Sequence, residues 1–428
     1  LKIANDINVC VMRSGKRRAA SVVYLETWHV DIEDFLELRK NTGDERRRTH
    51  DLNTANWIPD LFMERVKADA DWTLFSPDET SDLPDIYGKA FNTRYEEYEK
   101  MAKEGKIKLF KVIKAKDLWK KMIGMLFETG HPWICFKDPS NIRSPQDHMG
   151  VIHSSNLCTE IMLNTSDHET AVCNLGSINI AKFVTKNKTI DKDLLQKVIR
   201  SSVRMIDNTV DINYYPTEDS KASNMKHRPI GLGIRGYHDA LYGMGILFDT
   251  NEAVEFADES MEMMSYYTIL SSSELAKEKG KYASYEGSKW SRGILPEDTI
   301  ALLEKERGTT IDIPKGGKLD WTPVRNHIKQ YGMRNSNTMA IAPTASTANV
   351  GCTPTVEPIY KNIYVKSNKE GEFIVVNKYL VEDLKKINLW NRDMVNKIKF
   401  YDGSIQEIHE IPADIKERHK EVFDINQK

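Results

Sequence analysis

The chain has 428 residues with 61 Lys plus Arg against 63 Asp plus Glu, a formal charge of −2 that does not suit a coat for nucleic acid or an anionic membrane. Hydrophobic residues make up 40% and charged residues 29%, a globular rather than a disordered composition, and no apolar run approaches the ~18 residues of a membrane span. Five cysteines, an odd number, make no disulfide scaffold and point to a reducing compartment in which each thiol is available for chemistry.

The opening LKIANDINVC starts on Leu1 and reads as the interior of a domain. No internal repeat, low-complexity linker or clean boundary follows. One large α/β domain over residues 1–428 is expected, as a piece of a longer polypeptide. RSGKRRAA (Arg13 to Ala20) sets four cations beside a glycine: a loop that reads a nucleotide, or a solvated basic turn. AASVVYL (Ala19 to Leu25) is short, β-branched and apolar, so a buried strand is predicted, followed by a helix over Asp31 to Lys40 with an acidic first turn.

Leu118, Met122, Met125 and Leu126 recur at helical spacing, as do Leu195, Ile199, Val203, Ile206 and Val210. A long helix is predicted from an N-cap at Thr250 to a C-cap at Gly280. The short apolar runs TLFS, WICF, TEIML and NTMAIAP alternate with these helices, which predicts an α/β architecture with a mainly parallel sheet.

Several clusters could carry chemistry. His131, Cys135, His148, His153 and Cys158 are metal-capable, but they form no CxxC knuckle and prolines break the stretch irregularly. In SSNLCTEIML, Asn156, Cys158 and Glu160 alternate, so a strand or hairpin would aim an amide, a thiol and a carboxylate into one pocket. The plainer alternative is a small buried Cys in a strand. Cys173, in AVCNLGSINI, is either a second redox thiol or simply core.

GLGIRG, with Gly231, Gly233 and Gly236, fits a dinucleotide fingerprint only loosely, and close packing is the stronger reading. In NTMAIAPTASTANVG an apolar stretch runs into a turn crowded with hydroxyls at Thr344, Ser346 and Thr347, then a helix start. Such a turn favours an anion, or is a plain capping turn.

NLCTEI, AVCNLGSINI, HRPIGLGIRGYHDAL and APTASTANVG occur together with YLETWH and RRRTHDLNTANWIPDLFM. Over essentially its whole length the chain resembles the large, catalytic subunit of class I ribonucleotide reductases. That resemblance implies a ten-stranded α/β barrel, incomplete at both ends, in which a finger loop carries a radical cysteine to the centre. It implies reduction of ribonucleoside diphosphates to deoxyribonucleotides for DNA synthesis, in the cytoplasm.

Carried over residue by residue, Cys158 resembles the transient thiyl radical that removes the 3′-hydrogen. Glu160 resembles the carboxylate that takes the 3′-OH proton, and Asn156 the amide that holds the ribose hydroxyls. Cys173 resembles one of two cysteines that end as a disulfide. Pro343, Thr344, Ala345, Ser346 and Thr347 resemble the substrate-phosphate loop, and Gly15, Lys16 and Arg17 the loop linking the specificity effector to the substrate base.

The implied partners are a metal-containing, radical-generating small subunit, a second copy of the large subunit, and thioredoxin or glutaredoxin as reductant. ATP, dATP, dTTP and dGTP are the implied effectors, and no metal or other cofactor is implied within this chain. The partner of Cys173, the regulatory cone, the radical-relaying tyrosine pair and the C-terminal cysteine pair find no counterpart here. The adjacent Tyr266 and Tyr267 fall inside the predicted long helix. The isolated chain is therefore expected not to turn over. Alternatives are a cobalamin-dependent or, less readily, a glycyl-radical reductase, a non-catalytic nucleotide-binding remnant, or a zinc-binding structural protein.

Overall fold

In the computed structural model, residues 1–13, 17–313, 315, 317–368 and 371–425 are described. After an opening helix Lys2–Cys10, strands β1 (Met12–Arg13) and β2 (Arg17–Arg18) form a short antiparallel ladder. Next come β3 (Val22–Glu26), β4 (Asn53–Ile58), β5 (Asp71–Phe75), β6 (Phe110–Lys114) and β7 (Trp133–Phe136). Strands β8 (Leu175–Asn179), β9 (Gly231–Arg235), β10 (Ile363–Asn368) and β11 (Gly371–Val376) complete the described strands.

Strands β3, β4 and β7 make one parallel sheet in that order, and β8 and β9 make a second parallel pair. Helices fill the crossovers, as parallel neighbours require. The β5–β6 and β10–β11 pairs are antiparallel, so the strand pairing is mixed rather than mainly parallel. Among the described residues the sheets stay separate, and closure into ten strands is not seen. The segment Asn337–Pro343 adds a single parallel bridge, Met339 to Leu232, along β9.

The helical periodicities map onto real helices. Leu195, Ile199, Val203, Ile206 and Val210 all lie buried on one side of Lys192–Ile212, which Asp191 caps by accepting from Leu194 N at 3.0 Å. Leu118 and Met122 are buried on Ala115–Thr129, which ends on the left-handed Gly130. The long helix runs from Asn251 to Lys279, between Thr250 and Gly280 as predicted. Its Thr250 hydroxyl, however, turns back to the Leu247 carbonyl at 2.8 Å and does not cap the helix.

The early elements are shorter than their sequence pattern. Strand β3 starts at Val22 and is half-buried throughout. The helix after it covers only Ile32–Leu36, because Thr49 N–H takes the Leu38 carbonyl and the chain tightens into turns. TLFS and WICF fall in β5 and β7, whereas TEIML forms no strand.

Two apolar clusters frame the site. Trp28, Phe62, Trp72, Phe75, Phe91 and Tyr95 pack around β5, with Trp72 stacked on Tyr95 at 4.4 Å between ring centroids. Ile178, Ile199, Val203, Leu232, Ile234 and Met264 pack β8 and β9 against the two longest helices. Asp138, fully buried after β7, ties elements together: its carboxylate accepts Asp60 N at 2.8 Å and Gly88 N at 3.0 Å, the first N–H groups of two helices.

Candidate active site

The segment from Val151 to Asn174 leaves the helix Lys137–Ile142 and enters β8 with little regular structure. Asn156, Cys158 and Glu160 therefore do not alternate along a strand. Thr159 N–H bonds the Asn156 carbonyl at 3.2 Å, and Thr159 sits in the left-handed region at φ 68°, an uncommon conformation for a β-branched residue. That turn replaces the predicted alternation.

The turn is fixed from both sides. Asn156 Oδ1 accepts from Ile161 N at 3.2 Å, and Ser155 Oγ donates to the Ile161 carbonyl at 2.8 Å. From β3, Tyr24 OH donates to the Asn156 carbonyl at 3.2 Å and lies 3.7 Å from Cys135 Sγ. Burial is the main cause that raises the Tyr24 phenol, followed by Cys135, while Glu160 adds a smaller push in the same direction. Sequence reading missed Tyr24 as a support of this turn, since a contact across so many residues leaves no local signal.

Cys158 is exposed at the tip of the turn. Cys173 touches solvent too, yet protein surrounds enough of its sulfur that desolvation, helped by the charges of Glu160 and Cys158, pushes its thiol up to about 11. Both thiols and the carboxylate are thus close enough to feel one another. Glu160 and Cys173 also line one small cavity of about 30 Å³ with Asn174, Gly231 and Asn337. Glu160 faces a second cavity of about 480 Å³ beside Arg143, Met162, Trp290 and Met339. Its Oε2 is buried and makes no hydrogen bond among the described residues. An unpaired buried carboxylate oxygen is costly, so it marks a place where an outside donor is wanted.

The hydroxyl-rich turn is built on the chain that continues from these cavities. Thr344 is left-handed at φ 53° and leads into the helix Ala345–Gly351. Its Oγ1 is buried without a partner among the described residues. Thr347 Oγ1 donates to the Thr344 carbonyl at 3.2 Å, and Arg235 Nη1 donates to the Thr347 carbonyl at 2.8 Å. Ala345 and Ser346 are exposed, as is Pro343. Arg235 brings a cation to this turn from the end of β9, a contribution hidden inside the glycine-rich GLGIRG.

The glycines of that stretch serve close packing. A Cβ on Gly233 would fall 2.2 Å from the Ala340 carbonyl oxygen, and one on Gly231 would fall 2.7 Å from the Ala340 Cβ. The metal-capable stretch is dispersed among other partners. His131 Nε2 lies 3.0 Å from Asn53 Oδ1, His148 Nε2 lies 2.9 Å from the Ser284 carbonyl, and His153 pairs with Asp85 at 2.7 Å. Among the described residues no three His, Cys, Asp or Glu side chains are placed to hold a metal ion. Cys352 lines a separate cavity of about 690 Å³ and does not join Cys158 and Cys173. Gly15 and Lys16 lie outside the described residues, while the backbone of Arg17 pairs with Arg13 in the β1–β2 ladder. No helix among the described residues is long and apolar enough to cross a membrane.

Parallel strands with helical crossovers, and a loop that brings two thiols and an unpaired carboxylate oxygen together, define an α/β fold with a candidate thiol site. The family model for the barrel domain of ribonucleotide reductase matches residues 1–428, and the chain belongs to that family. It is 54% identical over 427 residues to the ribonucleoside-diphosphate reductase subunit alpha of Chlamydia pneumoniae, covering 99% of this chain and 41% of that protein. It is 42% identical over 431 residues to the large chain of Cryptosporidium parvum, covering 100% of this chain and 52% of that protein. With the large subunit of Arabidopsis thaliana the identity is 41% over 449 residues, covering 100% and 53%. The chain thus spans between two fifths and about half of the length of these relatives.

Proposed function

We propose that this chain forms the catalytic core of a class I ribonucleoside-diphosphate reductase, completed by the further segments its relatives possess. The observation that carries the reading is the Glu160 carboxylate, buried and unpaired at Oε2 beside Cys158 and Cys173. A ribose 3′-hydroxyl is the donor such an oxygen lacks.

In this reading Cys158, as a thiyl radical, removes the 3′-hydrogen homolytically and becomes a thiol. Glu160 takes the 3′-OH proton while the 2′-OH, protonated by a cysteine, leaves as water. Cys173 and a second cysteine give up two electrons and their two protons and end as a disulfide. Glu160 returns its proton to the 3′-oxygen, and the 3′-hydrogen atom returns from Cys158, which is left as the thiyl radical again. The balance is one nucleoside diphosphate and two thiols in, one deoxynucleotide, one disulfide and one water out. Asn156 orients the ribose hydroxyls. Pro343, Thr344, Ala345, Ser346 and Thr347 hold the diphosphate, where Arg235 adds a nearby positive charge.

The same proposal includes a full ten-stranded barrel, a metal-containing small subunit that supplies the radical, and a dimer of large subunits. Thioredoxin or glutaredoxin reduces the disulfide, ATP, dATP, dTTP and dGTP act as effectors, and the enzyme works in the cytoplasm. Gly15, Lys16 and Arg17 form its specificity loop. CDP reduction by the complete enzyme, with its small subunit and dithiothreitol, tests the reading beside Cys158→Ser. The parent forms dCDP and the variant forms none. Equal dCDP from both removes Cys158 from the chemistry.

A further inference from the structure

Glu169 lies in the segment that joins Cys158 to Cys173, and the salt bridges of that segment among the described residues both end on it. One carboxylate oxygen lies 2.6 Å from His227 Nε2 and the other 2.5 Å from Lys226 Nζ, both at the end of the helix Glu218–His227. The Glu169 side chain is 13% exposed and that of His227 only 5%.

The imidazole is held in turn. Its Nδ1 lies 2.6 Å from Ser284 Oγ and 3.2 Å from Gln146 Nε2, and Tyr282 OH donates to Gln146 Oε1 at 2.6 Å. The His227 carbonyl accepts from Ser336 N at 3.1 Å, which joins it to the strand-like run lining the Glu160 cavities. Burial holds the imidazole below its ordinary value, against the pull of Glu169, so the neutral ring donates from Nε2 and accepts at Nδ1. Burial opposes ionisation of Glu169, but the hydrogen bonds from Lys226 and His227 prevail and keep it below the usual carboxylate range.

Ser284, His227 and Glu169 stand in the order of a hydrolytic triad, yet the Ser284 hydroxyl is buried and each member is used in holding the next. The arrangement is a clasp. A second tie on the same loop, His153 to Asp85, is solvent-exposed and contributes little beside it.

We propose that Glu169, clasped by His227, is a positioning residue that fixes the segment between Cys158 and Cys173 and so holds the second thiol beside Glu160. Its catalytic consequence rests on the reductase reading, but the placement of the thiols does not. The first test therefore needs no turnover: iodoacetamide labelling of Cys173 in this chain at pH 8, resolved by mass spectrometry of the peptide. Loosening the clasp removes part of the protein packed around the already solvent-touching Cys173 thiol and separates it from Glu160, which raises its thiolate fraction.

In Glu169→Ala, Cys173 should label roughly tenfold faster, as one pH unit of thiol acidity gives. Glu169→Gln, which still accepts from His227, should stay within about threefold of the parent, and Asp85→Asn should label like the parent. If Glu169→Ala does not fold, His227→Gln decides by the same criterion. Unchanged labelling in the folded variant overturns the clasp. In the complete enzyme, Glu169→Ala should lower kcat on the order of 100-fold while KM for CDP stays within about twofold, since misplacement affects the reacting atoms and not the phosphate site. A matching rise in KM with kcat intact also overturns it. Should the reductase reading fail, the parent shows no turnover while the labelling difference persists, so the two failures are distinct.

Discussion

Cys173 and Glu160 line one small cavity, where burial first and the Glu160 carboxylate second push the thiol up to about 11. At neutral pH the thiol keeps its proton. In the proposed reaction that is the form Cys173 needs to deliver a proton and an electron together, whereas a free thiolate would be alkylated or oxidised in idle moments.

Replacing the carboxylate checks this coupling. Glu160→Gln removes the second cause and leaves burial, so the Cys173 thiol should titrate below 11 but above an ordinary thiol. The pH profile of Cys173 alkylation measures it. An unchanged profile would show that Glu160 is too remote to act on the thiol.

Gly233 has no room for a side chain, since an added Cβ would meet the Ala340 carbonyl oxygen at 2.2 Å. Backbone cannot yield there without breaking the Met339–Leu232 bridge. Gly233→Ala is predicted to destabilise the chain by about 3 kcal/mol, at the upper end for overpacking, by urea denaturation. A loss under about 0.5 kcal/mol, the level of a neutral surface change, contradicts the packing role given to GLGIRG.

His238 is buried and stacked on Tyr242 at 4.5 Å, and its Nδ1 accepts from Ile359 N at 3.0 Å. Burial first, and the nearby His419 second, bring its pKa down to about 4. Between pH 6.5 and 4 the unfolded chain binds a proton that the native ring refuses, so stability is present above pH 6.5 and falls as the pH drops through that window. The full effect is on the order of 3 kcal/mol. His238→Gln, which can still accept from Ile359 N–H, should flatten this part of the denaturation profile between pH 7 and 4.5. A profile as steep as the parent's assigns the acid sensitivity elsewhere.

Arg235 reaches the Thr347 carbonyl at 2.8 Å and sets a positive charge next to the hydroxyl-rich turn. In the complete enzyme, Arg235→Gln should raise KM for CDP about tenfold with little change in kcat, the pattern of a lost ground-state contact to phosphate. A fall in kcat at constant KM would move Arg235 out of substrate binding.

The sequence made some of this structure visible and concealed the rest for physical reasons. The buried stripe Leu195, Ile199, Val203, Ile206 and Val210 was legible because helical spacing repeats over several turns, and Gly280 because a helix must end somewhere. The alternation at Asn156, Cys158 and Glu160 misled, since nothing local announces a left-handed Thr159. Parallel pairing was overestimated because the β5–β6 pair, joined across the helix Gly88–Lys103, inserts an antiparallel ladder whose second strand is largely exposed and carries no apolar run. Tyr24, Arg235 and the Glu169–His227 clasp act across distant parts of the chain, where spacing carries no information.

The central claim is that Cys158 and Cys173 divide the reaction, one cleaving the 3′ C–H bond and the other supplying electrons. Tritium release from [3′-³H]CDP, followed beside dCDP formation in the complete enzyme, separates these roles. The account predicts neither signal from Cys158→Ser, and 3′-tritium release without dCDP turnover from Cys173→Ser. Tritium release by Cys158→Ser, or normal turnover by Cys173→Ser, would contradict it.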